Sequence, residues 1–216
     1  MSSEKTKKMV TIAMLCAFAY VVMIAVRIPV VLFLKYEPKD IIIAIGGFIY
    51  GPMTAATVSL MVSLVELFTA SDTGIIGFVM NVLSSCSFAC TASLIYKKSK
   101  NLKGAVIGLV AGIALMSAVM LMWNYLITPI YMNVERSQVV GLLLPAILPF
   151  NLLKGTLNAV ITFLIYKPVV SALRRTNMIP ANAEKSVSKR STGAILISLF
   201  ILITCILSIM AFNGKI

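Results

Sequence analysis

Histidine is absent from all 216 residues, tryptophan occurs once, and charged side chains make up only 12% of the chain. Without histidine, the cysteines lack the usual companion ligand of a mixed zinc site. Cys16, Cys86, Cys90 and Cys205 all fall inside apolar runs and read as small buried residues, and no disulfide framework is implied. Cys86 and Cys90 are four apart and could share a helix face. No glycine-rich Walker-type phosphate loop occurs, and no ATPase domain would fit between the apolar runs, so the chain cannot hydrolyse ATP alone. The serine nucleophile elbow, the HExxH zinc motif and paired intramembrane aspartates are missing as well. These absences argue against protease, phosphatase and acyltransferase chemistry and favour binding over catalysis, with no catalytic or metal-ligating residue assigned.

What is present is apolar. Hydrophobic residues make up 60% of the chain and mean hydropathy is +1.00, whereas a soluble domain is roughly 45–50% apolar and about 25% charged. Lipid must be the solvent for most of the surface. Since a spanning helix needs roughly 20 apolar residues, about six to seven spans consume the whole length in one membrane domain. The net charge of +12 sits between apolar runs rather than on one soluble face, which excludes nucleic acid as a partner and fits basic cytoplasmic loops.

The pattern divides the chain into a basic N-terminus (1–8), a membrane domain (9–172), a polar linker (173–193) and an additional transmembrane helix with its tail (194–216). The basic start followed by apolar residues 9–28 has the outline of a signal peptide. Its apolar part is too long and lacks a small-residue cleavage pattern, so a retained first helix is expected. Residues 41–50 form a second apolar segment too short to cross a core about 30 Å thick. Further spans are expected at 53–70, 75–96, 105–130 and 142–166. With the N-terminus inside, 13 Lys and Arg fall on inner segments and 5 on outer ones, a bias that supports that orientation.

Ionisable groups at membrane depth cost on the order of 2.5–3.5 kcal/mol and usually face a cavity or the bundle interior. Glu66 and Lys154 are the two here. Asn151, Lys154 and Asn158, separated by three and four residues, form a polar stripe that Thr162 continues. The stripe could read a buried polar ligand; alternatively the asparagines join helices and Lys154 pairs with Glu66. Tyr36, Asp40, Asn81, Trp123, Asn124 and Tyr125 lie toward the outer ends and could converge on one cavity, although Trp123 and Tyr125 also suit an interfacial belt. In the first span, Ala13 and Ala17 have a small-xxx-small spacing that lets another helix approach.

Three segments together resemble a known family. They are Glu37-Pro38-Lys39-Asp40-Ile41 with Gly46-Gly47-Phe48-Ile49-Tyr50-Gly51-Pro52, then Ser71-Asp72-Thr73-Gly74 with Gly77 and Asn81, and Asn151-Leu152-Leu153-Lys154-Gly155 with Asn158 ahead of Tyr166-Lys167. Over residues 9–167 the chain resembles the substrate-specific components of energy-coupling-factor (ECF) transporters, in particular the riboflavin-specific ones. The resemblance implies an all-α integral membrane protein, a six-helix S-component bundle, to which residues 194–212 would add a further C-terminal transmembrane helix. It also implies a prokaryotic cell membrane location, an outward vitamin site, and no cofactor beyond riboflavin as bound substrate. Transport would be energised by a separate module of two ATPases and a transmembrane coupling protein, docking partly on Ala13 and Ala17. Carried over by position, Asn124, Asn151 and Lys154 would face the polar edge of the flavin. Lys35, Tyr36, Glu37 and Asp40 would close over it, and Asn81, Glu66 and the neighbouring Asn158 would complete the polar lining. Another vitamin such as thiamine or biotin, a membrane enzyme using Lys154 and Glu66, and an assembly subunit without ligand stay open at this point.

Overall fold

The computed structural model describes residues 3–31, 34–176 and 192–212. Most of the expected linker, the tail after Phe212, and Leu32 and Phe33 lie outside these residues. Helix α1 (Ser3–Ala25) leads into a short antiparallel hairpin, β1 (Ile28–Val31) and β2 (Leu34–Tyr36), which pairs Ile28 with Tyr36, Pro29 with Lys35 and Val31 with Leu34. The ladder is irregular between Pro29 and Val31, as expected where proline supplies no amide donor. Then follow α2 (Lys39–Tyr50), α3 (Pro52–Thr69), α4 (Gly74–Ser99) and α5 (Leu102–Met132). The last stretch joins α6 (Arg136–Leu142) through a π-helical turn at Leu143–Ile147 to α7 (Leu148–Arg175), and α8 (Thr192–Phe212) closes the order.

Among the described residues, six helical stretches are long and apolar enough to cross a membrane: α1, α3, α4, α5, the continuous α6–α7 stretch, and α8. Side chains such as Phe18, Phe68, Ile107, Ile130 and Phe200 are exposed on them. A helix apolar toward solvent as well as toward its neighbours is the signature of a lipid-facing bundle.

The twelve residues of α2 rise only about 18 Å, and most of them are buried. It therefore runs inside the bundle instead of along its lipid surface, in contact with α1, α3, α4 and α7. Gly51, at φ +97°, turns the chain between α2 and α3, a backbone region that side chains disfavour, and Pro52 starts the next helix where its missing N–H has no partner to lose. Pro145 sits in the π-helical turn. A residue without N–H cannot keep the ordinary ladder, and the wider turn absorbs the lost bond. Downstream, Asn151, Lys154, Asn158 and Thr162 all come out buried on one side of α7.

Helices α4 and α5 approach backbone to backbone. A Cβ placed on Gly108 would stand 2.6 Å from the Ala92 carbonyl oxygen, and one on Gly112 would stand 2.6 Å from that of Phe88. Glycine here removes the side chain that would hold the backbones apart. At the end of the bundle bearing the N-terminus, Phe48, Tyr96 and Tyr166 pack as three rings with centroids 4.6, 5.4 and 6.0 Å apart, joining α2, α4 and α7.

Gly108→Val should therefore lower stability by about 2 kcal/mol, the range of core overpacking, whereas Gly141→Ala, where an added Cβ meets nothing within 4 Å, should not. Unfolding titrations of the detergent-solubilised variants check the difference.

Candidate functional site

At the hairpin end, β2, α3, α4, α5 and α7 enclose a cavity of about 230 Å³. Of the residues expected from sequence, Lys35, Glu37, Glu66 and Asn81 line one part of it, and Asn124, Asn151 and Lys154 another. Leu34, Met80, Met120 and Phe150 supply apolar wall.

Tyr36, Asp40 and Asn158 do not line the cavity but lie buried behind it. Asp40, fully buried at the start of α2, accepts hydrogen bonds from Ser85 Oγ at 2.5 Å and Asn158 Nδ2 at 3.2 Å, and lies 3.3 Å from Lys154 Nζ. The Tyr36 hydroxyl donates to Asn158 Oδ1 at 3.1 Å. Lys154 also donates to Ser84 Oγ at 3.4 Å. This network fixes the Lys154 side chain at the cavity wall, where its carboxylate partner offsets part of the cost of burial.

A pairing of Lys154 with Glu66 is thus not what forms: Asp40 takes Lys154, and Glu66 belongs to a second group of charges. Lys39, with no exposed surface, reaches Glu66 Oε2 at 2.5 Å and Glu37 Oε2 at 2.9 Å. Arg27 lies 2.7 Å from Glu37 Oε1 and 3.4 Å from Glu66 Oε1, and donates to the Ala70 carbonyl oxygen at 2.7 Å. Asn81 Nδ2 donates to Glu66 Oε2 at 2.9 Å. Lys35 meets Asp72 across the mouth, tying the hairpin to the α3–α4 turn. Burial pushes the Glu37 carboxyl up, but Lys39, Lys154 and Arg27 outweigh it and hold it below the usual range. The hydrogen bond from Lys35 holds the exposed Asp72 carboxyl low as well.

Sequence reading missed Arg27, Lys39 and Asp72, having counted the two cations as outer-loop charges. One signal was available: a carboxylate at Glu66 requires a cation at the same depth, and Lys39 begins the short helix that enters the bundle. Trp123 and Tyr125 do not line the cavity. Trp123 is half-buried against the main core, and Tyr125 is exposed, with the Arg136 guanidinium 5.1 Å from its ring centre. Ala13 and Ala17 are exposed on α1. Their neighbours Met14 and Phe18 form one wall of an apolar groove of about 640 Å³ between α1, α2 and α7. Among the described residues, no group of three or more Cys, Asp or Glu is placed to hold a metal ion.

Removing Lys39 alone strands two buried carboxylates. Lys39→Met should destabilise the protein by about 3 kcal/mol or more, and the double change Lys39→Met with Glu66→Gln should recover part of the loss. Unfolding of the single and double variants measures that coupling.

Residues 7–166 match the family described as the ECF transporter substrate-specific component. The chain is 27% identical to the riboflavin transporter RibU of Staphylococcus aureus, over 81% of its own length and 96% of that protein's. It is 29% identical to the riboflavin transporter FmnP of Bacillus subtilis, over 81% and 99%, and 31% identical to the riboflavin transporter RibU of Streptococcus thermophilus, over 78% and 85%. A solved S component of a bacterial ECF transporter superposes with a TM-score of 0.66 at 28% identity, covering 79% of this chain and 99% of that one.

Proposed function

The chain belongs to the substrate-specific components of ECF transporters, and from that premise we propose that it is the riboflavin-binding subunit of a vitamin uptake system. It is a multi-pass membrane protein and a transport component, not an enzyme. The observation that carries the ligand is the convergence of Asn124 from α5 with Asn151 and Lys154 from α7 on a cavity whose other walls include Leu34, Met80, Met120 and Phe150. An isoalloxazine ring has apolar faces and an imide edge that needs both donors and acceptors. Asparagine amides and an ammonium meet that edge, while the methionines and Phe150 cover the faces. On this reading Asn81 and Glu66 meet the ribityl hydroxyls, and Lys35 and Glu37 cover the ligand at the mouth. Tyr36, Asp40 and Asn158 act at one remove, orienting Lys154.

The charges around the cavity pair with one another: Arg27, Lys35, Lys39 and Lys154 against Glu37, Glu66, Asp72 and Asp40. Among the described residues lining the cavity, no spare cation awaits a phosphate group, which favours a neutral vitamin over its phosphate ester. The names of three relatives favour riboflavin over thiamine or biotin. Lys154 and Glu66 have separate partners and so do not form an acid–base pair with each other, which disfavours a membrane enzyme built on the two.

The partner is an ECF module; we take it to comprise two ATPases and a transmembrane coupling protein. Its docking face would include Ala13 and Ala17, where a coupling helix could enter the apolar groove beside Met14 and Phe18. On the charge bias, the N-terminus lies in the cytoplasm of a prokaryotic cell and the hairpin outside.

Riboflavin added to the purified chain should quench Trp123, the neighbour of Asn124, saturably and at one vitamin per chain. Lys154→Ala and Asn151→Ala should each weaken binding tenfold or more; undiminished affinity in both would remove the pocket from consideration. Separately, Ala13→Leu with Ala17→Leu should leave binding intact while uptake by cells carrying the full transporter falls at least tenfold. Normal uptake would place the docking face elsewhere.

A further inference from the structure

Helix α8 lies beyond the family match, which ends at residue 166, yet it is packed onto the wall of the cavity. Its buried face recurs at helical spacing, with Ser198, Ile201, Leu202, Cys205 and Ile209 turned inward. Ser198 satisfies its hydroxyl on its own helix, donating to the Ala194 carbonyl oxygen at 2.8 Å, so the face it shares with α7 and β1 is apolar.

That face belongs to an apolar cluster separate from the main core. It gathers Val30, Leu34 and Tyr36 of the hairpin, Phe150 and Leu157 of α7, and Cys205 of α8. Two of its members, Leu34 and Phe150, are themselves cavity wall. A third, Tyr36, holds Asn158, which holds Asp40, the partner of Lys154. Its C-terminal end is anchored where Glu37 meets Arg27 and Lys39, but the strands of the hairpin before it rest on few other supports. The hairpin has two short strands, too small a unit to be stable alone, and its tie to the α3–α4 turn through Lys35 and Asp72 is solvent-exposed and therefore weak.

We propose that α8 is a brace that fixes how long the cavity keeps its ligand, with Leu202, Cys205 and Ile209 as positioning residues that press the hairpin and Phe150 against the bound molecule. The ligand itself follows from the function proposed above. The exposed side of α8, with Leu196, Phe200, Ile203 and Leu207, faces lipid and carries no part of this role.

The brace acts on the closed, occupied state, so loosening it speeds release much more than it alters capture. In the full chain, Leu202→Ala with Ile209→Ala should raise the rate of riboflavin release, read by chase with unlabelled vitamin, at least fivefold. The association rate should change less than twofold. Ile203→Ala with Phe200→Ala, on the lipid side of the same helix, should change neither rate. Should the inward pair not fold, the milder Ile209→Val should still double the release rate. A general loss of stability would lower the folded fraction without dividing the two rates in this way. Unchanged release from inward-face variants that bind riboflavin overturns the brace alone. A parent chain that binds no riboflavin overturns the proposed function and the brace with it.

Discussion

The ammonium of Lys39 has no exposed surface and two carboxylates within 2.9 Å, and the architecture of the hairpin end follows from keeping it that way. An ion taken out of water costs several kcal/mol even after the surroundings relax, and only well-aligned partners offset that cost. Glu37 must therefore arrive from the hairpin and Glu66 from α3, while Arg27 at the end of α1 neutralises what remains of both. Three elements, the end of α1, the hairpin and α3, are fixed relative to one another by this requirement, across 39 residues from Arg27 to Glu66. The short α2 is part of the same solution, because a helix of full spanning length would carry Lys39 and Asp40 away from their partners.

One residue along, Asp40 repeats the arrangement on the other side of α2. Consecutive residues of a helix point in different directions, so Lys39 turns toward α3 and Asp40 toward α7 and α4. The cavity lies between the two groups, and its polar lining is for the most part already engaged. A ligand bound as proposed would meet side chains held in place before it arrives, which reduces the ordering cost of binding. The pairing of the described charges also balances four cations against four carboxylates, so selection by the proposed site would rest on the shape and hydrogen-bonding pattern of the ligand rather than on attraction to its charge.

Much of this was legible beforehand. The spans, the short second helix and the stripe of Asn151, Lys154 and Asn158 follow from hydropathy and helical spacing, which are local properties. Partner choice is not local. Lys154 could equally have met Glu66 by depth alone, and only the packing of α2 between α3 and α7 gives it Asp40. Arg27 and Lys39 were taken for loop charges because each borders an apolar run, and a hydropathy profile cannot tell a charge that ends a span from one that folds back beneath a hairpin. Tyr36, Asp40 and Asn158 fell within the expected cluster but on its far side, a distinction of one layer that spacing cannot resolve. The hairpin itself was hidden by Pro29, which weakens any strand pattern.

Helix α8 presents the same contrast between presence and role. Its apolar run announces a membrane helix, and any such helix must pack somewhere or stand alone in lipid. Packing in lipid gains little from burial of apolar surface as such, since lipid tails are no less apolar than leucine, and depends on close fit. The small Cys205, buried on the inward face as Ser198 is, packs against a cluster holding Tyr36 and Leu34. A helix held by fit alone restrains the surface it fits. That surface is the outer side of the hairpin whose inner side covers the cavity, so under the proposed brace the rigidity of the cavity would extend to a segment outside the six-helix core.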